Sequence, residues 1–175
     1  MTGSELIAAF QAGRTDFSGE DLHGIKLRGA HLNGIIFNGA DLRDSDLSGT
    51  SLFRASFRGA MLNRSHLGLF HDSEADPNLD DVDVELTCVD LAQADLTGAF
   101  LNDAHMFAVN LRDAILENAD LRGAVLIRAD LSGANLQSAN FTRADLSEAH
   151  LSFEALKNAT TTLAKLADAL DVDNL

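Results

Sequence analysis

Leu or Phe recurs every five residues at Phe17, Leu22, Leu27, Leu32, Phe37, Leu42, Leu47, Leu52, Phe57, Leu62 and Leu67 without a miss. An α-helix cannot keep that spacing on one face, because five residues rotate it by a net ~140°. Strand alternation fails as well, since an odd step changes faces. The residue two before each large one is usually small, as at Ala30, Ala40, Ser45, Ala55, Ala60 and Ser65. Further along, Ala94, Ala99, Ala104, Ala114, Ala119, Ala124, Ala129, Ala134, Ala139, Ala144 and Ala149 repeat the arrangement. Each unit therefore offers one large and one small inward residue and leaves the other positions to water. Glycine at the last position, as at Gly19, Gly24, Gly29, Gly34 and Gly39, predicts tight corners between very short strands.

Phe17, Phe37 and Phe57 are the three Phe among these eleven central positions. Their spacing of 20 predicts four units per coil and a continuous Phe ladder. A second series of fourteen runs Leu86, Leu91, Leu96, Leu101, Met106, Leu111, Leu116, Leu121, Leu126, Leu131, Leu136, Phe141, Leu146 and Leu151. Leu67 and Leu86 are 19 apart, so the register breaks between blocks 15–67 and 86–154. Residues 68–85 hold the one proline, Pro77, in the polar run His71-Asp72-Ser73-Glu74-Ala75-Asp76-Pro77-Asn78-Leu79-Asp80. Proline interrupts ladder pairing, which favours an extruded acidic loop over a distorted coil with Leu79 or Val82 still inward. The blocks together predict about six coils, a single domain over 1–175 and a rod ~30 Å long.

Both rod ends need caps. Residues 4–12 predict an N-terminal helix with Ser4 as N-cap, Leu6, Ile7 and Phe10 inward and Gly13 as terminator. At the other end, Glu154 spoils the small position although Leu156 keeps the period. Within the C-terminal cap assigned to 155–175, Leu163, Leu166, Ala167 and Leu170 form a helical stripe. That stripe serves either as a cap or as a contact with a second copy, so both a monomer and a homodimer through the C-terminal helix stay open.

The units Ala94-Asp95-Leu96-Thr97-Gly98, Ala119-Asp120-Leu121-Arg122-Gly123, Ala129-Asp130-Leu131-Ser132-Gly133 and Ala134-Asn135-Leu136-Gln137-Ser138 resemble the pentapeptide-repeat family. The match spans residues 15 to about 154 apart from the interruption. It implies a β solenoid, specifically a right-handed quadrilateral β-helix with short N- and C-terminal capping helices. Many relatives, particularly cyanobacterial ones, share simple A-D-L units and have no assigned biochemical role. Others, implicated in fluoroquinolone resistance, are dimeric acidic rods that bind DNA gyrase. The present sequence lacks their frequent cysteines and varied aromatic centres, and no functional loop motif carries over.

Composition narrows the classes further. Apolar residues make up 46% with no Trp or Tyr, so the core is thin and aliphatic rather than absent. Thirteen Lys and Arg against 27 Asp and Glu give a net charge of -14, which disfavours direct nucleic-acid binding and anionic membranes. Proteins with basic surfaces are the expected partners. Met1-Thr2-Gly3-Ser4-Glu5 has no basic n-region and no run approaches the length of a membrane span, so a cytoplasmic location is expected. The single cysteine, Cys88, cannot form an internal disulfide and reads as a corner or surface thiol.

Asp precedes the central residue at positions 16, 21, 41, 46, 90, 95, 120, 130 and 145. Such repetition points to turn hydrogen bonding rather than to paired catalytic carboxylates. His23, His31, His66, His71, His105 and His150 form no H-E-x-x-H, and Asp72, Asp76, Asp80, Asp81 and Asp83 lack EF-hand order. There is no G-x-S-x-G elbow or Walker loop. No catalytic, cofactor-binding or metal residue is therefore assigned, and no enzyme is expected. Between Arg64 and Arg112 there is no Lys or Arg, whereas Asp72, Glu74, Asp76, Asp80, Asp81, Asp83, Glu85, Asp90, Asp95 and Asp103 form an acidic belt. Phe53, Phe100 and Phe107 are candidate projecting contacts. A non-catalytic protein-interaction or scaffold solenoid is the expected function; the alternative is an acidic DNA mimic that binds DNA gyrase or another type II topoisomerase.

Overall fold

The computed structural model describes residues 1–68 and 89–171. The chain winds into stacked four-sided coils, and the residue before each central position pairs in parallel with its equivalent 20 residues on, as in Asp16 with Ile36 and Asp21 with Asp41. Each link is reciprocal: Phe17 N–H donates to the Ile36 carbonyl at 2.8 Å, and Ile36 N–H donates to the Thr15 carbonyl at 2.9 Å. Corners are closed by a second bond, such as Ala30 N–H to the Leu27 carbonyl at 2.9 Å, with Gly29 at φ 69° as the third turn residue. That is the type II pattern, which favours glycine. Fourteen non-glycine residues, among them Arg54, Ala108 and Leu163, occupy positive φ as well. The stacked ladder, not the local residue, therefore imposes the corner.

Among the described residues, central positions from Phe17 to Leu151 are almost completely buried. They stack in four columns, one per side. Phe17, Phe37 and Phe57 make the expected ladder, with ring centroids 6.0 and 5.4 Å apart. Mostly small residues lie beside them, as Ala40, Ala60, Ala99 and Ala139 illustrate, while Ile25, Ile35 and Val109 are buried at the same position. Ser65 Oγ, in one of these small positions, donates to the Leu62 carbonyl at 2.7 Å. Ser45 Oγ is buried without a partner among the described residues.

Across the interruption the step changes from 20 to 39. Ser51 pairs with Asp90, Ser56 with Asp95, Met61 with Phe100 and His66 with His105. Leu91 therefore follows Leu67 as the next central position. The choice between a loop and a distorted coil for 68–85, together with the placement of Leu79, Val82 and Leu86, lies outside the described residues except at Gly68. A Cβ on Gly68 would fall 2.5 Å from the Phe107 carbonyl oxygen, so the two backbones meet where only glycine fits.

The N-terminal helix, α1 (Gly3–Gln11), lies over the first coil with Leu6 fully buried. Its N-cap is Thr2 rather than the expected Ser4, through a capping box with Glu5. Gly13 at φ 98° ends it, with Arg14 N–H bonded to the Ala9 carbonyl at 3.0 Å.

The helical stripe expected around 162–170 requires correction. The short helix near this end is α2 (Phe153–Leu156), preceded by β1 (His150–Leu151) and followed by further coil. Thr160 pairs with Asn140 and Lys165 with Asp145, and β2 (Leu170–Asp171) pairs in parallel with β1. Glu154 would have pointed inward in a regular unit, and a helical turn capped by Ser152 replaces that corner. Leu156 nevertheless stays central and buried. The described residues thus build seven coils instead of six, and the last carries Thr161 and Leu166 as central residues.

Candidate interaction groove

The repeated aspartates are turn fasteners. Asp16, Asp21, Asp41, Asp46, Asp90, Asp95, Asp120, Asp130 and Asp145 each accept the backbone N–H two residues on, at 2.9–3.2 Å. This is the structural role expected from the sequence. Burial alone would push the Asp120 carboxyl up, but hydrogen bonds from Arg122 and Asn102 outweigh it and hold the group below the usual range. At Asp41 the Arg43 side chain dominates and acts in the same direction.

One side of the solenoid departs from this regularity. Along it run two adjoining hollows of about 360 and 500 Å³ that share Asn102 and Asp103. The first is lined by Arg43, Met61, Asn63, Arg64, Phe100, Asn102 and Asp103; the second extends past Arg122, Gly123, Thr142 and Arg143 to Thr162 and Leu163. Asn63 donates to Asn102 at 2.7 Å, and Asn102 donates to Asp120 at 3.1 Å, forming a polar line along the floor. Arg64 is held by Asp44 at 2.7 Å and Arg122 by Asp120 at 2.7 Å. Asp103 and Arg143, two coils apart, have neither an ion pair nor a side-chain hydrogen bond among the described residues. Gly123 lies beneath the Asp103 carboxylate, which a Cβ there would strike.

Of the three Phe flagged as projecting, Phe100 is 47% exposed in this groove. Phe53 is half-buried under the Arg54 guanidinium, 5.0 Å from its ring, and Phe107 is buried. Met61 and Arg143 were not singled out in the sequence, and Asp103 and Leu163 were read only as parts of an acidic belt and a helical stripe; joining Met61 to the others requires the 39-residue step.

Of the acidic belt, Asp103 lies in this groove. Asp72, Glu74, Asp76, Asp80, Asp81, Asp83 and Glu85 are outside the described residues, as are Cys88 and His71. Of its remaining members, Asp95 faces Arg58 at 3.2 Å and Asp90 accepts from Asn110 at 3.0 Å. His66 and His105 stack with centroids 5.0 Å apart, and burial followed by the His105 charge lowers the His66 pKa. Among the described residues no group of three or more His, Cys, Asp and Glu could hold a metal ion, and no helix is long and apolar enough to cross a membrane.

Four-sided coils whose repeated polar residues fasten corners define a repeat scaffold that presents faces rather than a reaction centre. The model of pentapeptide repeats (8 copies) matches residues 21–59, 37–67, 85–123 and 114–152, and the chain belongs to the pentapeptide-repeat family. Its fold is that family's right-handed solenoid.

Among solved structures, the chain is 25% identical to HetL, a pentapeptide repeat protein involved in heterocyst differentiation regulation from the cyanobacterium Nostoc sp. strain PCC 7120. That match covers 97% of this chain and 94% of HetL at a TM-score of 0.45. Another pentapeptide repeat protein of Nostoc PCC 7120 is 28% identical over 94% of this chain and 95% of its own, at a TM-score of 0.39. QnrB1, a plasmid-mediated fluoroquinolone resistance protein, is 19% identical over 88% of this chain and 81% of its own, at 0.43. No curated protein matches significantly.

Proposed function

We propose that this chain is a docking scaffold for a protein partner that seats along the groove between Arg43 and Leu163. The observation that carries it is the combination of exposed Phe100 with Asp103 and Arg143, two opposite charges that make no ion pair among the described residues, in one continuous hollow. A partner offering an apolar side chain and both signs of charge would satisfy all three. The net charge of -14 adds long-range attraction toward a partner with a basic surface. A cytoplasmic location belongs to the same proposal and accords with a chain whose one cysteine needs no oxidising compartment.

The test is a photo-crosslinker at Phe100, used for capture in lysate of the source organism. Loss of the captured band in the Asp103→Lys/Arg143→Glu double variant is expected. Undiminished capture by that variant would contradict the groove.

The alternative, an acidic DNA mimic acting on DNA gyrase, is favoured by the overall charge alone. Against it, the groove column Asp44, Arg64, Asp103, Gly123, Arg143 alternates in sign, unlike a phosphate backbone. Salt-sensitive inhibition of supercoiling by purified gyrase would support that reading.

A further inference from the structure

The two ends of the solenoid are chemically complementary, and among the described residues only one is covered. In the seventh coil the N–H groups of Thr161, Leu163, Leu166 and Asp168 make no backbone hydrogen bond among the described residues, and the carbonyls of Ala159, Ala164 and Ala169 accept none. Their equivalents one coil earlier are all bonded, as Leu146 N–H is to the Lys165 carbonyl at 2.8 Å. This edge is also apolar: Leu163 is 72% exposed, Leu170 44% and Leu166 39%. Unpaired ladder groups beside exposed leucine make an adhesive edge.

What fits that edge is set by its outline. A square coil of four five-residue sides is matched in size and in donor and acceptor spacing by another such coil. The first coil leaves the matching groups unbonded, since the N–H and carbonyl groups of Asp21, Lys26 and His31 are also without ladder partners. Continuing the 20-residue step from one copy into the next would bring Leu166 N–H to the Lys26 carbonyl and Lys26 N–H to the Ala164 carbonyl. Asp168 would fall over Gly29, beside Arg28, and the attraction between these two charges would offset the like-charge contact of Lys165 with Lys26. The obstacle is α1. Gly3 lies directly on the Lys26 carbonyl, with no space for a Cβ, and Leu6 is fully buried in the core.

We propose that the open seventh coil is a latent head-to-tail assembly surface for a second copy of this chain, and that α1 is the stop that blocks the receiving end. A heterologous contact of this kind does not close on itself and propagates as a filament.

The experiment uses the full chain with Leu6→Asp to displace α1, followed by sedimentation velocity and electron microscopy, with circular dichroism as the folding check. The expected result is straight rods one solenoid wide, with mean mass rising about threefold or more over wild type with concentration. Adding Leu166→Arg at the opposite end is expected to return the protein to wild-type size. Folded Leu6→Asp protein of unchanged size would overturn the proposal. So would polymers that persist in the double variant, because exposed core rather than the seventh coil would then be the adhesive. Rods formed by the wild type itself would also overturn it. If Leu6→Asp unfolds, Gly3→Val displaces the helix from Lys26 without charging the core and is read by the same outcomes.

Discussion

At the scale of the residue, what matters is whether a side chain points along the axis or away from it. Leu121 is fully buried, whereas its neighbour Asp120 reaches Arg122 and Asn102 on the surface. Leu121→Asp places a carboxylate among aliphatics and is expected to abolish cooperative unfolding, while Asp120→Ser costs about 1 kcal/mol in urea denaturation. Ser45 occupies a small position that elsewhere holds Ala and leaves its hydroxyl unpaired. Ser45→Ala is therefore expected to raise stability by about 1 kcal/mol, measured the same way. The depressed carboxylates set the pH response. A folded-state pKa below the unfolded value contributes stability that is present above ~4 and is lost as pH falls through the folded pKa. Asp120→Asn should accordingly flatten the fall in Tm below pH 4, and an unaltered acid limb would show that the Arg122 and Asn102 bonds do not couple to folding. The inward residues, the Phe ladder and the turn aspartates were legible in the sequence, because each is dictated by its own chemistry repeated at a fixed spacing.

At the scale of the element, legibility ended where two periodicities competed. Leu163, Leu166, Ala167 and Leu170 satisfy a helical spacing, yet Leu166 is a central residue and Leu163 sits at a corner with φ 59°. Thr161 in a central position and Glu154 in a small one concealed the continuing five-residue period. The ladder prevailed because pairing with the sixth coil satisfies backbone groups that a lone helix here would leave to water. Replacing Leu163 with glycine removes the left-handed strain and one exposed leucine, and a gain of about 1 kcal/mol is expected from thermal unfolding. A loss instead would mean that the segment is helical. In the Phe ladder, Phe37 touches an aromatic ring on each side, and Phe37→Ala should cost about 3–5 kcal/mol.

At the scale of the whole molecule, the surface depends on how the two blocks are phased. The sequence showed that a break lies between Leu67 and Leu86, but its length in coils was hidden, since a loop and a distorted turn differ only in which later residues sit above which earlier ones. The 39-residue step places Phe100 on Met61 and aligns Arg64, Asp103 and Arg143 in one groove. Any other phase would carry Met61 and Arg64 away from Phe100 and Asp103 and cut the proposed docking face short. The phase is therefore the central claim, and disulfide formation reads it most directly. In a Cys88→Ser background, Ser51→Cys/Asp90→Cys is expected to close a disulfide rapidly, whereas Ser51→Cys/His71→Cys, the pair that an unbroken 20-residue period would stack, is not. Efficient closure of the second pair and failure of the first would contradict the account.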